Sequence, residues 1–378
     1  MKYLSVALAC LFLLLASPLA AAQPIPQPPS TPGESYILMD AATGRVLAEK
    51  NADKRLPPAS LTKIMTGYVV YEALADGSIA MEDEVQVSEA AWRMGGSQMF
   101  LEVGDSVTVD KLLDGLVVQS GNDAALALAE YVGGSERAFV EQMNFYADEL
   151  GLENTQFENP EGLNKDSHYS SARDLAILSR AMIRRFPERY QRYAKREFTY
   201  NDIRQYNRND LLYSSDYVDG IKTGYTSEAG YCLAASGERD GTRLISVVMG
   251  EPGEDVRESS TRSLLSWGFR FYETHKLYAA GETLQEARIW KGASDRVRLG
   301  LAEDLAVTIP RGRYDALQAS MSLPGQLVAP ASKGEQLGRV TVELEGETIA
   351  EAPLVALSDV AAGSFLQRMS DAVLQWFQ

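Results

Sequence analysis

A hydroxyl and an amine stand three residues apart in Ser60-Leu-Thr-Lys63. On a helical turn, residues i and i+3 share a face, so the two groups can meet. The start of a helix also favours developing negative charge. A serine hydroxyl is a weak nucleophile until a base takes its proton, and a partly desolvated lysine near other cations can be that base. Ser120-Gly-Asn122 brings a second hydroxyl and an amide, able to relay a proton and to orient a substrate amide. Lys222-Thr-Gly224 brings positive potential, a hydrogen-bond donor and a residue that lets a substrate backbone approach a strand edge. Each triplet alone has a plainer reading. S-x-x-K is an ordinary surface helix turn, and Lys-Thr-Gly is a turn. Ser-Gly-Asn is a helix cap, with Asn122 opening the helix of Leu126 and Tyr131. Each motif occurs once, in this order, and together they specify nucleophilic acyl transfer far better than any one does.

The composition removes the usual competitors. Among 378 residues there are two His and two Cys. His168 and His275 lie far apart, and neither belongs to an H-E-x-x-H pattern. A structural zinc finger and a disulfide scaffold are excluded, and a zinc peptidase or a histidine-based serine triad would need one of these two His as its key residue, with little support in the sequence. The net charge of −16 argues against a nucleic-acid binder, which needs a clustered basic face.

The elements that must position these groups are also legible. Lys2, the apolar run Val6–Ala16 and Ala20-Ala21-Ala22 form a secretory signal, with cleavage expected after Ala22 and Cys232 left as the one thiol, buried and inert in a strand. Residues 23–33, QPIPQPPSTPG, predict an extended, solvated leader. Tyr36–Met39 and Arg45–Ala48 flank a hairpin turn with Gly44 left-handed. Pro57-Pro58 precede a helix expected from Ser60 to Ala75. The stretch 105–186 reads as mainly helical, with Ser171-Ala-Arg-Asp174 capping the helix that Pro187 closes. Strands return at Tyr231–Ser236 and Leu244–Met249, and a helix carries Leu264, Leu265, Trp267 and Phe271. A helical block between early and late strands is an α/β design with one antiparallel sheet. Segments such as Val307–Ile309 and Arg339–Leu344, separated by Gly-bearing turns, predict a small all-β domain over 277–360.

The three motifs in this order resemble the penicillin-recognising serine acyltransferase superfamily. Tyr206–Leu212, Val218–Gly224, Ala229-Gly-Tyr231, Leu264–Phe271 and Ile309–Arg313 narrow the resemblance to low-molecular-mass penicillin-binding proteins of the penicillin-binding protein 5 and 6 type. These are serine D-alanyl-D-alanine carboxypeptidases, of the peptidase S11 kind. The resemblance runs from about residue 34 to the C-terminus. It implies an α/β, β-lactamase/transpeptidase-like domain over 34–276, then the all-β domain and an amphipathic helix over 361–378. It implies that Ser60 is acylated, with Lys63 as its base, and that Ser120 passes the proton to the leaving D-alanine beside Asn122. Lys222 would keep Lys63 neutral, and Thr223 and Gly224 would receive the substrate. Arg257, seven residues before Leu264, stands where the family's carboxylate-facing arginine stands, and Arg208 matches another arginine of the site. For both arginines the plainer reading is a surface salt bridge. The oxyanion hole would be the backbone N–H groups of Ser60 and Tyr225, where members of the family carry His in place of Tyr225. No metal or cofactor is implied. The expected partners are peptidoglycan pentapeptides as substrate and β-lactams as covalent inhibitors.

Three rivals share these residues. A class A β-lactamase needs a Glu in an E-x-x-L-N pattern, and Glu158-Asn-Pro-Glu161-Gly-Leu163-Asn164 places Glu161 one residue off. A DD-endopeptidase of the same fold usually lacks the second domain. A wall-binding scaffold would not need the intact catalytic set. The C-terminal residues Phe365, Leu366, Met369, Ala372, Val373, Trp376 and Phe377 recur at helical spacing. One reading packs this helix on the β domain. The family resemblance instead implies an anchor on the outer face of the cytoplasmic membrane, for an enzyme working in the periplasm.

Overall fold

The computed structural model describes residues 25–375. The expected signal segment, Trp376 and Phe377 lie outside the described residues. Strands β1 (Ser35–Asp40) and β2 (Val46–Lys50) form the first hairpin, and Gly44 closes it at φ +76°, where glycine pays no Cβ penalty. Three later strands complete the sheet: β3 (Val218–Thr226), β4 (Gly230–Arg239) and β5 (Thr242–Glu251). The order is β2-β1-β5-β4-β3, antiparallel throughout, so the Lys222-Thr-Gly224 strand is an edge.

Successive side chains on a strand face opposite sides. On β1, Ile37 and Met39 enter one core while Tyr36 and Leu38 enter another; on β4, Cys232 and Ala234 alternate likewise with Leu233 and Ala235. The first core is filled by α1 (Lys63–Ala75), α2 (Asn122–Gly133), α3 (Glu136–Glu149) and α4 (Ala172–Arg185). The second is covered by α5 (Glu254–Phe271). Every residue of α1 from Lys63 to Tyr71 is buried. A helix apolar on all sides belongs at the centre of a domain, and its first residue is carried inside with it. As expected, the Ser171 hydroxyl accepts from the Asp174 N–H to cap α4, and Cys232 is a free, buried thiol whose pKa burial pushes up to about 11.

Two local expectations need correction. The helix does not begin at Ser60: Ala59–Thr62 is a 3₁₀ turn and α1 starts at Lys63. Ala59 sits at φ +47°, and the Leu61 N–H reaches back to the Pro58 carbonyl, which tightens the chain before the helix. The proline-rich leader is extended but not free in solvent. The Trp267 indole donates to the Pro26 carbonyl at 3.1 Å, Lys50 donates to the Gly33 carbonyl at 2.6 Å, and Ile25 packs on the α5 core.

Strand pairing of the β domain begins at Tyr272, directly after α5 and before the expected start at 277, because Tyr272–Tyr278 pairs with Leu305–Pro310. A six-stranded sheet and an apolar core containing Ile289, Leu299, Val340 and Leu354 complete it. Hydroxyls bind it to the catalytic domain: Thr43 to Thr308 at 2.6 Å, and Thr274 donating to the Asp40 carboxylate at 2.5 Å. Helix α6 (Phe365–Gln375) ends the described chain.

Candidate active site

Strand β3 meets the Ala59–Thr62 turn at Gly224. A Cβ there would lie 3.1 Å from the Pro58 carbonyl oxygen and 3.3 Å from the Leu61 nitrogen. A side chain here would press the strand and the turn apart by a few tenths of an ångström, so Gly224 helps set the spacing between the Lys-Thr-Gly strand and the turn bearing Ser60. The backbone N–H groups of Ser60 and Tyr225 belong to these two facing segments.

Lys63 is 1% exposed. Its Nζ donates to Ser60 Oγ at 3.0 Å, to Asn122 Oδ1 at 2.7 Å and to the Glu161 carbonyl at 2.6 Å. An ammonium has three donors, and all three are used. Burial lowers the Lys63 pKa to about 7; the Glu161 and Asp123 carboxylates oppose that shift, and the Arg208 guanidinium adds to it. Near neutral pH much of the amine is therefore unprotonated, and the contact to Ser60 can run with the hydroxyl donating.

Ser120 is held at φ +62° between the Gly115–Gln119 turn and α2, which turns its buried side chain into the cleft. Asn122 opens α2 as expected. Its Nδ2 donates to the Gly95 carbonyl at 2.7 Å, leaving Oδ1 for Lys63. Lys222 is buried behind the wall, with its Nζ donating to the Thr223 carbonyl at 3.1 Å. Burial first, then Lys63, Arg208 and Arg257, hold its pKa well below the usual lysine value. Burial is the largest cause of the Lys63 shift; the Arg208 guanidinium adds to it, and Lys63 and Lys222 repel one another across the same site.

Ser60, Ser120 and Asn122 line one side of a cleft of about 570 Å³, and Thr223, Gly224 and Tyr225 the other. Arg208 and Arg257 also line it. Arg208 is exposed on a loop. Arg257, from the first turn of α5, is buried: its Nη2 donates to Glu254 at 2.8 Å and Glu258 at 3.3 Å, and its guanidinium lies 5.8 Å from the Tyr231 ring centre. It is a cleft residue that also makes ion pairs, so the two readings of it coincide. Tyr225 stacks on Tyr231 with ring centres 4.4 Å apart.

Three more residues position the site: Asp123 and His168 carried no such signal in the sequence, and Glu161 carried only the near match to an E-x-x-L-N pattern. The buried Asp123 carboxylate accepts the backbone N–H groups of Met99, Phe100 and Leu101 at 3.0–3.1 Å, fixing the loop that follows Gly96 and Ser97 of the cleft wall. His168 Nδ1 accepts from the Glu158 N–H at 2.9 Å, which leaves Nε2–H to donate to Thr62 Oγ1 at 2.8 Å. Burial lowers its pKa to about 4, so it is a neutral tie between the 158–168 loop and the turn bearing Ser60. Glu161 lies on that loop, lines the cleft and is 5% exposed. Burial raises its carboxyl above the ordinary range, against the pull of Lys63.

The chain is similar to known proteins along nearly its whole length. Residues 22–253 match the family model described as D-alanyl-D-alanine carboxypeptidase, and residues 272–362 match the model of the penicillin-binding protein 5 C-terminal domain. The D-alanyl-D-alanine carboxypeptidase DacC of Escherichia coli is 46% identical, over 97% of this chain and 95% of its own. DacF of Bacillus subtilis, another D-alanyl-D-alanine carboxypeptidase, is 39% identical over 91% of this chain and 90% of its own. The crystal structure of penicillin-binding protein 5 from Haemophilus influenzae, 44% identical, superposes with a TM-score of 0.84 over 89% of this chain and 99% of that one.

Proposed function

The chain belongs to the D-alanyl-D-alanine carboxypeptidase family, and from that premise we propose that Ser60 carries the acyl group in the removal of the terminal D-alanine from peptidoglycan peptides. The observation that supports this most is the placement of Lys63, buried and in contact with Ser60 Oγ, Asn122 and the Glu161 carbonyl. Neutral Lys63 takes the Ser60 proton as Oγ adds to the penultimate carbonyl. The backbone N–H groups of Ser60 and Tyr225 receive the oxyanion. The proton passes through Ser120 to the leaving amine, and D-alanine departs with it. Thr223 and Arg257 bind the free terminal carboxylate, and Arg208 lowers the Lys63 pKa. A β-lactam, whose strained amide mimics the scissile bond, is attacked in the same way. Replacing Ser60 by Ala is expected to abolish both labelling by a fluorescent penicillin and D-alanine release from a pentapeptide. Retention of either activity would remove Ser60 from this role.

We further propose that the enzyme works in the periplasm, attached peripherally to the cytoplasmic membrane through its C-terminal helix. The Lys2-to-Ala22 segment supports export. On α6, Phe365, Leu366, Met369, Val373 and Leu374 are exposed. Among the described residues no helix is long and apolar enough to cross a membrane. Partial burial of such side chains in a membrane interface gives reversible binding. Arg368 and Asp371 cancel in charge, so detergent should release the protein more fully than high salt does.

A further inference from the structure

Two carboxylates line the cleft, Glu161 and Glu254. Glu254 is taken up by Arg257 at 2.8 Å. Glu161 is almost entirely buried, yet its Oε2 has no hydrogen-bond partner within the protein. Buried polar oxygens are nearly always partnered, so this one calls for a donor that the protein itself does not supply. Lys63 does not supply it, because the Lys63 contact to this residue goes to the backbone carbonyl. Surrounding contacts hold Glu161 in place. Gly162 sits at φ +90°, where an added Cβ would lie 1.9 Å from the Ala59 carbonyl oxygen; Asn159 Oδ1 accepts the Gly162 N–H at 2.6 Å; and the Thr66 hydroxyl donates to the Pro160 carbonyl at 2.5 Å. The backbone on either side of Glu161 is thereby held against the turn that carries Ser60.

The second half of the reaction needs such a group. Once Ser60 is esterified, Oγ has no proton to give. The three directions of Lys63 Nζ remain committed to Ser60 Oγ, Asn122 and the Glu161 carbonyl. Lys63 faces the ester oxygen, the atom that must leave, and is placed to protonate it rather than to deprotonate an incoming water. We infer that Glu161 is the base that activates the water which hydrolyses the acyl-enzyme. This rests on the Ser60 acyl-enzyme reading and deepens it. The Glu161 carboxylate takes one proton from water as the water oxygen bonds to the ester carbonyl carbon. The proton on Glu161 passes to Lys63, left neutral by acylation; the tetrahedral intermediate then collapses, the carbon–Oγ bond breaks, and Oγ leaves with the electron pair and takes that proton from Lys63. The product departs as the carboxylic acid, which ionises in solvent, and leaves Lys63 neutral, Glu161 ionised and Ser60 protonated for the next turnover. The same route acts on a penicilloyl group, so the enzyme should slowly turn over β-lactams instead of being held by them permanently.

Formation and decay of a fluorescent penicillin adduct on the intact protein test this separately. In Glu161→Gln, adduct decay should slow by roughly a hundredfold, the usual scale of a lost general base, and by far more than adduct formation changes. Glu161→Asp keeps the carboxylate and should restore part of the decay rate, along with the low-pH limb of its pH profile that Gln lacks. Decay at the wild-type rate in the Gln variant would overturn the inference. So would formation and decay falling together, since Glu161 would then act only through Lys63. Absence of any adduct in the wild type would overturn the Ser60 reading, and this inference with it.

Discussion

In the cleft, Lys63, Lys222 and Arg257 are 1%, 3% and 2% exposed, while on α6 Phe365 and Leu366 are 67% and 77% exposed. The two regions reverse the ordinary rule of burial in opposite directions. Taking an amine out of water is costly unless hydrogen bonds replace the water. At Lys63 three contacts do so, from the α1 turn, α2 and the 158–168 loop. The cost is met within the fold, and the site is consequently rigid and tied to the core. On α6 the exposed apolar side chains are not covered by the described chain, although the Asp371 carboxylate accepts the Lys291 N–H and holds the helix base to the β domain. Chemistry should therefore depend on the cleft and not on α6, and attachment on the exposed apolar face of α6.

The largest break in that comparison comes from removing the buried amine. Lys63→Ala should slow acylation by about 10²- to 10⁴-fold, the range for a general base. Stopped-flow penicillin labelling reads this directly, and normal acylation would mean that another group is the base. In the wild type, acylation should rise with pH through about 7, because only the neutral amine accepts the Ser60 proton. The stability sign follows from the same shift. The unfolded chain keeps Lys63 protonated up to its ordinary value of 10.5, whereas the folded chain releases the proton near 7. The unfolded state thus binds more protons in that window, so the Lys63 contribution to stability rises from pH 7 to 10.5. Thermal melts of Lys63→Met should lack that component.

A smaller effect is expected at the mouth of the cleft. Arg257→Gln should cost roughly tenfold to a hundredfold in kcat/KM on peptides with a free C-terminal carboxylate, the scale of one charge-assisted hydrogen bond. Amidated peptides, already poor substrates, should lose little more; equal losses on both would reject the carboxylate role. The smallest effect on chemistry is predicted at the other region. Truncation before Ala361 should leave kcat/KM on small peptides unchanged while the protein ceases to sediment with membranes. Loss of activity would show that the helix supports the fold.

The groups of the candidate site were legible in the sequence because each motif is local. Ser60 and Lys63 share one turn, and Lys222 to Gly224 share one strand. The α/β order of elements, the Gly44 hairpin and the α4 cap were legible for the same reason. What could not be read depends on contacts between distant segments. Asp123 looks like any acid in the first turn of a helix until Met99–Leu101 folds onto it. Glu161 stands one residue away from a known pattern, and only its loop, tied by His168 and closed on Gly162, brings it to the cleft. The left-handed Ala59, which delays the helix until Lys63, has no local signal because alanine does not favour that conformation. The proline-rich leader gave its extended shape but not the Trp267 contact that holds it to α5.

Mass spectrometry of the intact protein and its proteolytic peptides after brief penicillin exposure, with D-alanine release followed on the same preparations, tests the central claim most directly. The account predicts one penicilloyl group on the peptide containing Ser60, D-alanine release that falls in proportion to that adduct, and neither adduct nor release in Ser60→Ala. An adduct on any other residue, or D-alanine release that continues while Ser60 is fully acylated, would contradict it.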